Sequence, residues 1–166
     1  ISSTWSTDST FGRHLEMYER LLEELADSGA AVKVVAVLHP AIWTTHGRWQ
    51  VRSWLGNAIR KGLMIMPPEE GWRAAMIASD TVLGDAGSTT SYAAAIGRPV
   101  CLTTSPRQAI RDNSIAAAVA NHVPVLDHDC SLLPQVAKAV TCGYQLRPML
   151  SGRVGAAATV LRSTMY

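Results

Sequence analysis

The chain has 166 residues, 48% of them hydrophobic, and this size and composition are typical of one compact domain. A net charge of +2 without a long basic run argues against nucleic acid as a partner. No apolar run reaches the roughly 20 residues that span a bilayer, and the three cysteines include no C-x-x-C pair. We therefore expect a cytoplasmic domain without a disulfide framework. Because the chain begins at Ile1, we also expect an excised domain with a truncated first strand.

Short apolar runs alternate with amphipathic stretches in the first part of the chain. Residues 1–5 are consistent with the end of a strand, and the spacing of apolar residues over 15–28 predicts a helix that ends at a glycine. The β-branched run 32–38 predicts a strand buried on both faces. A helix over about 48–61 and a strand over 63–66 follow.

The second part of the chain continues this alternation. Glu69 and Glu70 suit the first turn of a helix, where acids are favoured by the helix dipole. The further predicted elements are a helix to about residue 79, strands 81–83 and 100–103 with a helix between them, a helix 114–121, a strand 123–126 weakened by Pro124, and closing helices 131–140 and 152–165. Such alternation predicts βαβ units and an α/β fold, a Rossmann-like doubly wound parallel sheet.

Loops that follow strands are the candidate functional loops, because ligands of such sheets bind beyond the carboxyl ends of the strands. These loops are 3–13, 39–47, 66–70, 84–90 and 103–112. The tripeptide Gly-Lys-Ser/Thr of a P-loop is absent, and so is the dinucleotide pattern G-x-G-x-x-G.

Loop 84–90 has the composition of an anion site at the start of a helix. It contains two glycines, an acid and three hydroxyl residues: Gly84, Asp85, Gly87, Ser88, Thr89 and Thr90. The glycines allow backbone to approach a phosphate closely, and the hydroxyls can cap the helix or donate to phosphate oxygens. The alternative is a capped strand-to-helix turn in which Asp85 is a turn residue.

The segment PPEEGWRAAMIASDTVLGDAGSTTSYAAAIGRPV, residues 67–100, resembles the donor-binding half of the CDP-glycerol glycerophosphotransferase family. It is more loosely similar to the nucleotide-binding halves of other GT-B transferases and of UDP-GlcNAc 2-epimerases. The start SSTWS…FGRH and the segment VVAVLHPAIWTTHGRWQVRSWL, residues 34–55, resemble uncharacterised actinobacterial members of that group. The resemblance covers about residues 2–102.

This resemblance implies the carboxyl-terminal half of a GT-B fold that binds a nucleotide-diphosphate donor. The parent enzyme would transfer glycerol phosphate, or a related polyol phosphate or sugar, to a cell-envelope polymer. An amino-terminal acceptor domain, absent from this chain, would supply the general base, so the isolated chain would be inactive. The resemblance implies no cofactor and no metal, and it allows peripheral membrane association of the parent.

The family's functional positions map onto a few residues of this chain. His39 matches a strand-end histidine that serves the donor phosphates, and Asp85 matches the acid of the family's turn. Ser88 and Thr89 match the hydroxyls at the helix start. Ala86 departs from the pattern, which usually has a bulkier residue there. His46, in a Thr-His-Gly tripeptide, lies in the wrong half to match the family's acceptor-side histidine.

Each candidate also has a structural interpretation. His39 is either a phosphate ligand or a hydrogen-bonded, partly buried histidine. Glu70 either lines the nucleotide pocket or serves a helix start, and Trp72 either stacks on a base or packs in the core. Arg107 and Arg111 either pair with phosphate or lie in a solvated loop.

A run of possible metal ligands near the end of the chain lacks zinc-like spacing, and we expect no metal there. The run comprises His122, Asp127, His128, Asp129 and Cys130. Two other functions stay open: an epimerase or nucleotide-sugar transferase half of the same fold, and a non-catalytic nucleotide-binding or interaction module.

Overall fold

Parallel strands form the centre of the molecule, which is described by a computed structural model over residues 1–105 and 114–142. Within those ranges the sheet has five strands: β1 (Ser2–Ser3), β2 (Val35–Leu38), β3 (Met64–Ile65), β4 (Val82–Gly84) and β5 (Val100–Leu102). Their order is β3-β2-β1-β4-β5, and every pairing is parallel. The chain thus builds outward from β1 in one direction and then, from β4, in the other. The predicted Rossmann-like α/β fold with a parallel sheet is confirmed.

Helices connect the strands and follow the sheet. Over the described ranges they are α1 (Thr10–Arg13), α2 (Leu15–Ser28), α3 (Pro40–His46), α4 (Arg48–Trp54), α5 (Gly56–Arg60), α6 (Trp72–Ala78), α7 (Ser88–Ala95), α8 (Ile115–His122) and α9 (Leu132–Cys142). None of these helices combines the length and the apolar character that crossing a membrane requires.

Two hydrophobic clusters account for the layered packing. Side chains alternate between the faces of a strand, so Leu83 and Cys101 join one cluster while Val82 and Val100 join the other. The first cluster includes the apolar face of α2, and the second includes residues of α7 and α8. Apolar groups thus cover both faces of the sheet, as the continuous apolar character of its strands predicts.

The helix predicted over 48–61 is wrong in its continuity, and an additional helix precedes it. α4 ends at Trp54, and α5 begins at Gly56. Helix α3 begins directly at Pro40, because proline is tolerated in the first helical turn. Gly47, with a φ of 78°, separates α3 from α4.

Other boundaries also differ from the predictions. Helix α6 begins only at Trp72, after Gly71 with a φ of 94°, so Glu69 and Glu70 precede the helix and do not occupy its first turn. The strand predicted over 123–126 is reduced to a single bridge between Val125 and Leu102. The predicted helix 152–165 lies outside the described residues.

Candidate functional site

A cavity of about 320 Å³ lies at the carboxyl ends of the strands, where the topology predicts a ligand site. It is lined from the ends of four strands by Thr4 after β1, His39 after β2, Pro67 after β3 and Ser88 after β4. Strands β1 and β4 are neighbours whose connections run to opposite sides of the sheet, which makes this edge a topological switch point. The volume lies within the range of about 300–1,000 Å³ that is typical of small-molecule sites.

His39 contributes a ring nitrogen to the edge of this cavity. The residue is exposed, and it caps helix α3, because its Nδ1 accepts a hydrogen bond from the backbone N–H of Ala41 at 3.1 Å. A neutral ring that accepts at Nδ1 carries its proton on Nε2. His39 therefore combines a structural bond within its own helix with a free N–H donor at the cavity.

The first turn of α7 forms another part of the cavity wall. Gly87, Ser88 and Thr89 all line the cavity, and no side chain caps this end of the helix. Its N–H groups therefore stay available to an anion. A side chain at Gly87 would place its Cβ 2.4 Å from Cγ2 of Thr4, so close approach of the two loops requires glycine here.

Gly84 and Thr90 lie beneath the cavity and do not line it, although both were predicted to bind the donor. Both residues are buried. A Cβ on Gly84 would lie 2.4 Å from Oγ1 of Thr90 and 2.9 Å from the carbonyl oxygen of Ser2. These two residues therefore set the close packing of β4 against β1 and the start of α7.

Asp85 is buried, and its carboxylate organises the loop that follows β1. Oδ2 accepts hydrogen bonds from the Thr4 backbone N–H at 2.8 Å, from the Thr4 hydroxyl at 3.0 Å and from the Thr10 N–H at 3.1 Å. Within residues 1–105 and 114–142 it has no hydrogen bond to His39, and it does not line the cavity. Of the two roles predicted for Asp85, orienting His39 or orienting the turn, the geometry fits the second.

The hydroxyl-rich loop STWSTDST, residues 3–10, supplies contacts that the sequence interpretation did not assign to any residue. Ser3 and Thr4 line the cavity. The Ser3 hydroxyl accepts from the Phe11 N–H at 2.8 Å and donates to the Thr4 carbonyl at 2.9 Å, while Ser9 caps α1. The signal that was available is the density of serine and threonine directly after a strand.

An aromatic pair forms one side of the cavity. The rings of Trp72 and Tyr92 lie 6.2 Å apart between centroids with an interplanar angle of 25°, and both residues line the cavity. The Arg73 guanidinium lies 4.6 Å from the centroid of the Trp72 ring. Trp72 was a candidate from sequence, whereas Tyr92 was missed, although it lies one helical turn after Ser88.

The remaining predicted donor-binding residues are not at the cavity or are not described. Glu70 is exposed and does not line the cavity, and its neighbour Glu69 forms an ion pair with Arg48. Arg107 and Arg111 lie outside the described residues. The cavity wall is therefore formed by hydroxyls, backbone amides, His39 and aromatic rings.

A second polar cluster lies away from the cavity. The rings of His14 and His128 stack with centroids 3.6 Å apart and an interplanar angle of 1°. Burial, followed by the neighbouring His128, lowers the pKa of His14 below its ordinary value. Asp127 instead accepts from the Cys130 thiol and the Asp129 N–H.

The fold and the cavity define a Rossmann-like α/β domain with a polar cleft beyond its strands. No family model, curated protein or solved structure matches the chain. The resemblance to CDP-glycerol glycerophosphotransferases therefore stays a prediction from the sequence.

Proposed function

We propose that this chain is the donor-binding half of a GT-B-type transferase. The enzyme moves glycerol phosphate, or a related polyol phosphate or sugar, from a CDP- or UDP-linked donor to a cell-envelope polymer. The observation that carries the proposal is that His39 and the uncapped first turn of α7 line one cavity at the topological switch point.

The chemistry of this wall suits a diphosphate. The N–H groups that begin α7 carry partial positive charge, and the hydroxyls of Ser88 and Thr89 donate hydrogen bonds to phosphate oxygens. Nε2–H of His39 adds a donor from the other loop. These donors offset the negative charge that builds on the departing nucleotide, which is where electrostatic stabilisation accelerates a transfer reaction.

The attacking hydroxyl also needs a general base. The resemblance places that base on an amino-terminal acceptor domain, and it places the polymer acceptor at a membrane with which the parent associates peripherally. On this proposal the chain binds nucleotide by itself and catalyses nothing until the two halves close over the donor.

A second candidate is a nucleotide-binding module without catalytic activity. Two observations favour it: the carboxylate of Asp85 is engaged in internal hydrogen bonds, and Ala86 packs against the second hydrophobic cluster. A third candidate, an epimerase or nucleotide-sugar transferase half, differs from the first in its preference for UDP.

Calorimetric titration of the chain with CDP, UDP and CMP tests the proposal. We expect CDP to bind at least tenfold more tightly than CMP, because the α7 donors hold the second phosphate. The double variant Ser88→Ala/Thr89→Ala should lose that difference. Ser53→Ala, an exposed serine of α4, is the matched control and should retain it.

The outcomes separate the candidates. Preference for UDP over CDP would favour the epimerase or sugar-transferase half. Equal affinity for CDP and CMP would remove the diphosphate from the α7 turn. Absence of saturable heat at millimolar nucleotide would overturn the donor-binding role.

A further inference from the structure

We propose that His14, Glu16 and His128 form a binding site for a divalent transition-metal ion of the zinc type. The three side chains come from two parts of the chain: the α1–α2 junction and the loop before α9. One possible ligand atom from each residue lies within 4.8 Å of those from the other two. None of the three residues lines the cavity described above, so this site is independent of the proposed function.

The residue types fit such an ion. Zinc prefers imidazole nitrogens with carboxylate oxygens, and three protein ligands leave a fourth position for water. The carboxylate Oε1 of Glu16 lies 3.5 Å from Nδ1 of His14. Two imidazoles and one carboxylate are also a less suitable set for Mg²⁺ or Ca²⁺, which take oxygen ligands.

The hydrogen bond of His128 supports this assignment. Its Nε2 lies 2.6 Å from the carbonyl oxygen of Thr103. A carbonyl oxygen only accepts, so Nε2 carries the proton and Nδ1 keeps its lone pair. Metal-binding histidines commonly donate their second ring N–H to a backbone carbonyl, which orients the ring and raises its basicity as a ligand.

The backbone around His128 is also held in place. The Arg20 guanidinium donates to the carbonyl oxygens of His128 and Cys130. Thr103 is fixed in turn, because its hydroxyl lies 2.5 Å from the hydroxyl of Thr10. This anchoring holds one ligand on a rigid loop, while Glu16, whose side chain is 67% exposed, is free to turn toward an ion.

Binding requires a local rearrangement of the rings. Stacked parallel imidazoles direct their lone pairs side by side, whereas zinc–nitrogen bonds of about 2.0–2.1 Å require the lone pairs to converge. The stack therefore has to open on binding, with His14 rotating more than the anchored His128. The three side chains need to close by only about an ångström to reach the ligand spacing of a tetrahedral ion.

Titration of the chain with ZnCl2, monitored by calorimetry and by the shift in melting temperature, tests the proposal. All proteins carry Cys130→Ser, which removes an exposed thiol as an unrelated zinc ligand. We expect one zinc ion per chain, a melting temperature raised by zinc and restored by a chelator, and no effect of MgCl2. His14→Gln and His128→Gln should each weaken zinc binding at least tenfold, and Glu16→Gln should weaken it severalfold.

His122→Gln is the matched control, because this exposed histidine of α8 contacts only its own helix carbonyl at Ala118. It should bind zinc like the parent protein. Circular dichroism without metal verifies the fold of each variant, and if His128→Gln does not fold, the His14 and Glu16 variants decide. The proposal is overturned if zinc does not bind, or if His14→Gln and Glu16→Gln bind it as tightly as His122→Gln.

Discussion

The carboxylate of Asp85 accepts a hydrogen bond from the backbone N–H of Thr4 at 2.8 Å and thereby joins the loops that follow β4 and β1. These two loops border the topological switch point of the sheet. The buried acid thus sets the position of Thr4 at the cavity wall without lining the cavity itself.

Replacing Asp85 should therefore destabilise the fold. Asp85→Ala leaves the N–H groups of Thr4 and Thr10 without their acceptor, and we expect a loss of about 2–4 kcal/mol in the free energy of unfolding, measured with urea. Asp80→Ala is the control, because Asp80 is exposed and lies five residues earlier in the same region. Equal stability of the two variants would contradict the role assigned to Asp85.

Gly84 should tolerate no side chain. In Gly84→Ala the new methyl group meets Oγ1 of Thr90 and the backbone oxygen of Ser2, and we expect a destabilisation of about 1–3 kcal/mol in urea unfolding. Gly56→Ala is the matched control. The nearest atom to its new methyl group is the end of the flexible Arg60 side chain at 3.5 Å, so this variant should be neutral or up to about 1 kcal/mol more stable. The reverse order of stabilities would show that the β1–β4 contact is not tight.

Two substitutions separate the capping role of His39 from its role at the cavity. His39→Ala removes the acceptor for the Ala41 N–H and should cost about 1 kcal/mol of stability. His39→Asn restores a capping oxygen and should retain stability. Both variants should bind CDP about tenfold more weakly in calorimetry, because a donor to a charged phosphate is lost. Retention of CDP affinity in His39→Asn would assign His39 to the helix cap alone.

Glu24 should make stability depend on pH in the acid range. Burial raises the pKa of Glu24, but hydrogen bonds from the Leu133 and Leu132 backbones and from Ser131 outweigh it and hold the pKa below its ordinary value. A lowered pKa gives stability that is present above the ordinary value of about 4.3 and is lost as the pH falls through the folded-state value.

We therefore expect Glu24→Gln to cost about 1–2 kcal/mol at pH 7 and progressively less below about pH 4. Urea unfolding at several pH values measures the difference. Glu70→Gln, at an exposed acid, should leave stability unchanged at every pH. A cost of Glu24→Gln that stays constant down to pH 3 would show that its charge is not involved.

Helix α2 shows what local sequence patterns predict well. Its apolar residues recur with the helical period, and Gly29 ends it in the left-handed conformation with a φ of 69°. Helix α3 was missed because Pro40 was interpreted as the stop of a strand, although proline also suits a first helical turn. Where one residue fits two local structures, packing decides between them.

The candidate site was predictable as a set of loops but not as a set of contacts. The loops beyond β1, β2 and β4 were expected at one edge because right-handed connections place all parallel strand ends together. The engagement of Asp85 with Thr4, the proximity of Tyr92 to Trp72 and the stack of His14 on His128 were not expected.

The sequence by itself determined the alternation of strands and helices, the parallel sheet and the edge at which a ligand would bind. These follow from residue periodicity and from turn and cap chemistry, which act between residues a few positions apart. Only the tertiary structure decided that Asp85 serves a loop and that His128 meets His14. Those contacts join residues far apart in the chain, and they depend on how the helices pack against both faces of the sheet.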